Sequence, residues 1–384
     1  MQGMPVTLWT GVVALMILHG VIHALGVAKA CGLPALAQVN MGHLLESSES
    51  KRIIGLFWGA TCLTLLGAGA MLMVGVERWW VAAAVGLALS QFLIIGAWSS
   101  AKVGTIANVL LAIPVLVAAA TGHFHGQTAA SVDRLRATVP EIQGAVVTAV
   151  ELQRFPPPVR RWLAASGIVG RGRAKRVRLR QEGLLRTSPE GSWMPAQARQ
   201  EFTVDEPAFV WAVDVTMGHV LPVVGRDSYL GGHGRMLIKA AGLVTVVDGQ
   251  GAKIDQGTML RYLGEIVWFP SAALAPYIRW EAIDDARATA TMTHAGSSVS
   301  AVFTFDEQGR MVRLTAKRYS GAGNDAVLEN WEVPAHKWGR LDGILIPVEG
   351  SVVWKRAAGD FDYFRWRITE LEIEPPAASQ APRL

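Results

Sequence analysis

Residues 5–28 read PVTLWTGVVALMILHGVIHALGVA, a run of 24 residues without a charged side chain. A hydrocarbon core about 30 Å thick is crossed by roughly 20 apolar helical residues. Three further uncharged runs follow at 53–76, 79–101 and 103–122, with 24, 23 and 20 residues. The sequence therefore predicts an α-helical membrane bundle of four transmembrane helices over residues 1–122.

The composition divides the chain into two domains. Of the 384 residues, 51% are hydrophobic and only 17% are charged, and the apolar excess lies before residue 122. We expect a polar connector over 123–154 and a soluble domain over 155–384. A net charge of +5 spread over two domains lacks the basic patch of a nucleic-acid-binding protein. The lipid bilayer is the partner that the composition indicates, and nucleic acid is not.

Lysine and arginine in the short connections favour one orientation, because positively charged loops tend to stay in the cytoplasm. Loops one and three carry one residue more than loop two and the end of span four: Lys29, Lys51, Arg52 and Lys102, against Arg78, Arg134 and Arg136. This margin predicts a multi-pass protein of the inner membrane. Its soluble domain would then be extracytoplasmic, as a periplasmic domain is.

His19 and His23 are spaced i and i+4, so both imidazoles project from one face of the first span. A polar group inside a membrane needs a partner within the bundle, and we predict hydrogen bonds to Ser90, Gln91 or Asn108. A proton relay, or a haem or metal site, is the alternative. A structural metal usually takes four ligands, and no Cys or acid accompanies the pair, so we expect no cofactor.

After residue 173 the hydrophobic period becomes two, which is typical of half-buried strands. Clear examples are the sets Val177 and Leu179; Phe209, Trp211, Val213 and Val215; Val299, Ala301, Phe303 and Phe305; Ile344, Ile346, Val348, Val352 and Trp354; and Phe364, Trp366 and Ile368. We predict an α+β domain in which roughly ten antiparallel strands form a curved sheet or half-barrel. A central helix from Asp255 to Phe269 interrupts the strands.

This order of elements resembles, at fold level, the half-barrels of lipoprotein carriers. Such a sheet can hold an acyl chain on its concave face while the backbone groups stay paired within the ladder. The alternative is that the same apolar face and the central helix pack together as a dry core.

Several segments together look like a bacterial membrane-protein family of unknown function with four spans and a soluble domain. They are Leu18–Gly26, Ala101–Asn108, the Pro-Pro-Pro-Val-Arg-Arg motif at 156–161, Asp227–Met236, Arg261–Glu265 and Trp268–Pro270. The resemblance implies a membrane protein without an assigned reaction. It carries over no catalytic residue.

One candidate ligand site lies in the segment 227–235, taken as a single strand. Asp227, Tyr229, His233 and Arg235 then share one parity and form a polar face, unless Gly231-Gly232 inserts a bulge. An acid, a phenol, an imidazole and a guanidinium side by side can hold a headgroup or supply acid–base chemistry. The simpler interpretation is an exposed face with cross-strand partners.

The central helix offers a second set of candidate ligand-binding residues. Arg261 and Glu265 have ion-pair spacing, and a surface salt bridge explains that spacing most simply. Tyr262 and Trp268 could reach the mouth of a pocket.

A dense basic run precedes and enters the first long strand: Arg171, Arg173, Lys175, Arg176, Arg178 and Arg180. Near a membrane it would bind anionic lipid, at about 1 kcal/mol per residue. On an edge strand it would discourage pairing with other sheets. The two roles are compatible.

No nucleotide loop, nucleophile elbow or metal helix occurs in the sequence. The sequence therefore favours a binding module over an enzyme. We predict a membrane-anchored, extracytoplasmic module that binds a lipid or another hydrophobic molecule. The alternatives are a redox or proton-coupled membrane enzyme that uses His19 and His23, and a structural or sensor scaffold with a filled core.

Overall fold

The structure, a computed structural model, describes residues 6–36, 48–139, 145–218, 220–321 and 325–374. The chain separates into two compact units. The first is helical and consists mainly of residues up to Gly126, and the second contains the sheet. The seven α-helices described are α1 Val6–Ala30, α2 Ser48–Met73, α3 Trp79–Gly96, α4 Trp98–Ala101, α5 Gly104–Ala137, α6 Pro157–Ser166 and α7 Ala252–Glu265.

Four helices of the first unit are long and apolar enough to cross a membrane: Leu8–Ala30, Ser50–Met73, Trp79–Gly96 and Gly104–Ala137. Their shared core is built around Met16, Leu65 and Ala83, which are fully buried. The four predicted spans correspond to these helices. The fourth helix does not end near residue 122 but continues to Ala137, so the first part of the predicted connector is helical.

The second unit contains one sheet of thirteen antiparallel strands, in the order β6-β5-β4-β3-β2-β1-β13-β12-β11-β10-β9-β8-β7. The strands are β1 Arg176–Leu185, β2 Met194–Thr203, β3 Ala208–Met217, β4 Leu221–Leu230, β5 His233–Ala240, β6 Val244–Gln250, β7 Ile278–Ala282, β8 Arg287–His294, β9 Ser297–Phe305, β10 Met311–Ser320, β11 Val327–Leu341, β12 Ile344–Arg356 and β13 Gly359–Glu374.

The predicted number of about ten strands is wrong. One reason is that the segment 227–235, predicted as a single strand, is a hairpin of β4 and β5. Its turn residues Gly231 and Gly232 have φ of 56° and 84°, values that glycine adopts without steric cost. The edge strand β6 was also missed, because five of its seven residues are exposed and its burial does not alternate.

We call the face of the sheet that is turned toward α7 the inner face. Phe202, Phe209 and Phe303 on this face are fully buried, as are Leu260 and Leu263 of α7. Burying each such side chain stabilises the fold by about 1.5–3 kcal/mol. The central part of the inner face is therefore filled by α7 and the side chains around it.

Helix α7 begins after Gly251 and ends at Glu265, and the chain continues as a 3-10 helix over Ile266–Trp268. The predicted helix from Asp255 to Phe269 thus starts three residues late and includes this tighter turn. Phe269 is not helical, with φ of −141° and ψ of 71°, because it precedes Pro270, which disfavours helical geometry in the residue before it.

The sheet curls until side chains of strands near its two ends come into contact. Strand β4 is third in the sheet and β8 is twelfth, yet Tyr229 of β4 contacts His294 of β8. The backbone N–H of Gly234 donates to Oδ1 of Asp255 on α7, at 2.6 Å. The result is an open half-barrel that wraps around one helix.

Candidate functional site

The hairpin divides the predicted four-residue polar face in two. Tyr229 lies directly opposite Gly234, and Leu230 lies opposite His233, so odd-numbered residues of β4 oppose even-numbered residues of β5. Asp227 and Tyr229 consequently point to the inner face and are buried. His233 and Arg235 lie on the other face and are exposed. The prediction that all four share one face is wrong.

Asp227 instead meets two predicted residues of α7. The Arg261 guanidinium donates to Asp227 Oδ2 at 2.8 Å and to Glu265 Oε1 at 2.7 Å. Gln200 of β2 donates to Glu265 Oε2 at 2.7 Å. We call these four residues the ion cluster. The predicted surface salt bridge is wrong in its location, because the side chains of Arg261 and Glu265 are only 14% and 13% exposed.

The ion cluster lies against aromatic rings of β3. The Arg261 guanidinium carbon is 4.5 Å from the centroid of the Trp211 ring and 5.2 Å from that of Phe209, within the range of cation–π attraction. Burial raises the pKa of Glu265, although Arg261 and Gln200 oppose the rise. Oδ1 of Asp227 is buried and has no hydrogen-bond partner among the described residues. One arginine therefore serves two acids, and one acid oxygen is left without a donor.

Tyr262 and Trp268 are core residues and do not lie at a pocket mouth. The Tyr262 hydroxyl donates to the Thr203 carbonyl at 2.9 Å, and the side chain is fully buried. Trp268 is 4% exposed and lies edge-on to Trp366, with ring centroids 5.3 Å apart.

A chain of three side chains closes the sheet where its ends meet. Oη of Tyr229 lies 2.7 Å from Nδ1 of His294, and Nε2 of His294 lies 2.7 Å from Oε1 of Glu206. Burial raises the pKa of Tyr229 to about 12, so it stays a neutral hydrogen-bonding phenol. Sequence reasoning missed His294, Glu206 and Gln200. Each lies far along the chain from the residue it contacts, and only the curl of the sheet brings them to Tyr229 and α7.

The inner face is less covered at one end. Phe364, Leu185 and Met194 are directly opposed across β13, β1 and β2, and Val352 of β12 opposes Phe364. We call these four residues the apolar row. Val352 is buried, whereas the other three are half-buried and pack on the edge of the main core.

A group of aromatic and basic side chains lies immediately beyond the apolar row on the same face. Trp354 follows Val352 by two positions on β12 and opposes Trp331 on β11. The Arg318 guanidinium carbon is 5.0 Å from the Trp331 centroid and 6.0 Å from the Trp354 centroid. We call Arg318, Trp331, Trp354 and Tyr363 the Arg318 cluster.

A shallow groove of about 500 Å³ occurs on the opposite, outer face. Its lining includes Thr289, Lys317, Asn330, Glu332 and Lys355. Because these side chains are polar and point away from α7, the groove is not the acyl-chain cavity that a carrier would place under the helix.

Carboxylates pair with much of the basic run. Arg176 pairs with Glu374, Arg178 with Glu372 and Arg180 with Glu370, all across β1 and β13. Arg173 pairs with Glu151, Arg171 donates to the Asp342 carbonyl, and Lys175 is buried. Strand β1 is central in the sheet, so the edge-strand interpretation is wrong. Binding of anionic lipid by this run stays a prediction.

The histidine pair of the helical unit has the predicted neighbours. His19 Nε2 lies 2.8 Å from Asn108 Oδ1, and His23 Nε2 lies 2.9 Å from Ser90 Oγ. Gln91 joins this network by accepting from Asn108 Nδ2 at 2.9 Å. No group of three or more His, Cys, Asp or Glu side chains suited to a metal ion occurs among the described residues. The structure thus gives both histidines neutral polar partners.

Four apolar helices followed by an antiparallel half-barrel around one helix define the class of protein. The profile of DUF6544, a family of unknown function, matches residues 145–366. Since this match includes more than half of the chain, the protein belongs to that family.

Three solved structures are similar at the level of the fold. A DUF1329 family protein from Desulfovibrio piger is 8% identical, with a TM-score of 0.34 over 60% of this chain and 94% of that one. A domain named as an outer membrane lipoprotein-sorting protein from Vibrio parahaemolyticus is 8% identical, with a TM-score of 0.33 over 59% and 95%. A LolA superfamily protein from Nitrosomonas europaea is 10% identical, with a TM-score of 0.31 over 59% and 94%. No curated protein matches the chain.

Proposed function

We propose that this protein is a membrane-anchored, extracytoplasmic module that binds a lipid or another apolar molecule. The four candidate spans anchor the chain in the inner membrane, and the excess of lysine and arginine in loops one and three supports an extracytoplasmic sheet. The ligand lies on the apolar row of the inner face.

The apolar row is the observation that carries this proposal. Leu185, Met194 and Phe364 continue the buried core without a break, yet they remain half-buried. An apolar surface contiguous with a core and bordered by polar groups is typical of a ligand-binding groove. The filled centre under α7 restricts the site to this end of the sheet, where an alkyl chain can bind without displacing the helix.

Photolabelling of the full chain in dodecyl maltoside tests the proposal, with hexadecanol that carries a photoactivatable diazirine as the probe. We expect label on peptides from β1, β2 and β13 in addition to label on the four spans. Leu185→Asp places a charge in the groove and should lower the label on the sheet peptides about tenfold, relative to the label on the spans.

Leu184→Asp is the matched control, because Leu184 immediately precedes Leu185 in β1, is exposed and faces the other side of the sheet. It should leave the labelling unchanged. Hydrogen exchange of the sheet peptides shows whether each variant is folded, and Met194→Ser is a milder second variant. The proposal fails if the wild-type sheet peptides carry no label, or if both Leu variants label equally.

A further inference from the structure

The Arg318 cluster differs in its electrostatics from the rest of the inner face. Arg318 is cross-strand neighbour to Glu329, but that carboxylate accepts from Arg356 Nε at 3.1 Å. No carboxylate pairs with Arg318 among the described residues. Its hydrogen-bond contact is weak, with Nη1 at 3.5 Å from the Tyr363 hydroxyl.

Two buried polar atoms in or next to the Arg318 cluster have no hydrogen-bond partner among the described residues. One is Nε of Arg318, and the other is Oε1 of Gln256 on α7. Gln256 belongs to the same place because its Nε2 donates to the backbone carbonyl of Lys317, the neighbour of Arg318. Buried groups of this kind are usually satisfied by a protein, water or ligand atom. The guanidinium of Arg318 thus has one unused donor of its own, and the amide of Gln256 has one unused acceptor.

We infer that the Arg318 cluster is a recognition site for an anionic headgroup, either a phosphate or a carboxylate. A guanidinium donates two parallel hydrogen bonds to such a group. The Trp331 and Trp354 rings lie 5.0 and 6.0 Å from the guanidinium carbon and cover part of it. Lys253 of α7, which lies over the Tyr319 ring, and Arg356 of β12 add positive charge, and Glu329 is the acid that pairs with Arg356.

The position of the cluster identifies the class of ligand. Along β12 the residues Val352, Trp354 and Arg356 succeed one another on the inner face, so the surface changes from apolar to aromatic to cationic. An amphiphile would place its alkyl chain on the apolar row and its anion on Arg318. This inference rests on the proposed function, because the apolar row must hold the chain.

Competition against the neutral hexadecanol probe tests the inference on the full chain. Dodecyl phosphate should displace the probe from the sheet peptides about tenfold better than dodecanol does. In Arg318→Gln the two competitors should be equal, and Arg318→Lys should be intermediate because it keeps the charge but loses the fork. Lys317→Gln is the matched control, since Lys317 is exposed on the outer face, and it should behave as wild type.

Inorganic phosphate separates a lipid headgroup from a free anion. If it displaces dodecyl phosphate at equal concentration, the site recognises a free anion and the amphiphile is the wrong ligand. Equal displacement by dodecyl phosphate and dodecanol in the wild type overturns the headgroup site itself.

Phosphorus NMR gives a readout that does not need the probe. The dodecyl phosphate signal should broaden with wild-type protein and with Lys317→Gln, but not with Arg318→Gln. If the probe never labels the sheet, the proposed function fails. Broadening that Arg318→Gln abolishes would then still show an anion site, and equal broadening would exclude it.

Discussion

Arg261 and Arg318 lie against two aromatic rings each, yet they have opposite surroundings. Arg261 meets Trp211 and Phe209 and also pairs with two carboxylates. Arg318 meets Trp331 and Trp354, and no carboxylate pairs with it among the described residues. Ion pairs within the fold satisfy Arg261, whereas Nε of Arg318 has no hydrogen-bond partner among the described residues. The aromatic neighbours of an arginine therefore do not show whether it is ion-paired. The carboxylates on the facing strands and helix decide that.

The largest expected effect on stability comes from removing Arg261, and removal of Arg318 is the comparison. Arg261→Met leaves Asp227 and Glu265 buried without their cation, and should lower the free energy of unfolding by about 3–5 kcal/mol. Arg318→Met removes a cation that forms no ion pair with the described residues, and it should cost about 1 kcal/mol or less. Urea unfolding followed by tryptophan fluorescence measures both. Equal losses would contradict the distinction between the two arginines.

A larger side chain at Gly234 tests how closely β5 packs against α7. A Cβ at Gly234 would lie 2.3 Å from Thr258 Oγ1 and 2.7 Å from the Ile254 carbonyl oxygen, so β5 would have to move away from α7. Gly234→Ala should cost about 1–3 kcal/mol and speed hydrogen exchange in β4 and β5. Gly126→Ala is the control, because no heavy atom lies within 4 Å of the added carbon. Unchanged exchange in Gly234→Ala would show that α7 does not close tightly on the sheet.

The features that could be predicted from the sequence are those set by neighbouring residues. An uncharged run long enough to cross a bilayer is a local property, and the alternation in β1, β3, β9 and β12 is also local. The partners of His19 and His23 could be narrowed down because few polar side chains lie within the four spans. In each case the residues that determine the structural feature are visible in the local sequence pattern.

The candidate site depended on pairings that the sequence pattern does not contain. Whether Gly231-Gly232 continues a regular strand or forms a turn decides on which face His233 and Arg235 lie, and alternation permits either. The ion cluster joins β2, β4 and α7, which are separated by tens of residues and meet only when the sheet curls. Arg261 and Glu265 were found by their helical spacing, but their burial and Gln200 were not.

The chain of Tyr229, His294 and Glu206 should contribute less to the free energy of unfolding than the features above. Tyr229→Phe leaves His294 Nδ1 without its partner and should cost about 1 kcal/mol. In a His294→Ala background the same substitution should cost almost nothing, which a double-mutant cycle measures. An undiminished cost in that background would mean that the phenol acts through some other contact.

The smallest expected effect is the pH dependence of the free energy of unfolding that arises from Glu265 in the ion cluster. Because burial raises the pKa of Glu265 above its ordinary 4.5, the folded state holds this proton more tightly than the unfolded state. Above pH 4.5 the unfolded state ionises first, so the free energy of unfolding should fall until the raised pKa is passed. Glu265→Gln cannot ionise, so the difference between wild type and variant isolates this contribution. If the stability of the wild type relative to Glu265→Gln rises with pH instead, the pairing of Glu265 with Arg261 outweighs its burial. The ion cluster would then stabilise the fold as an ion pair.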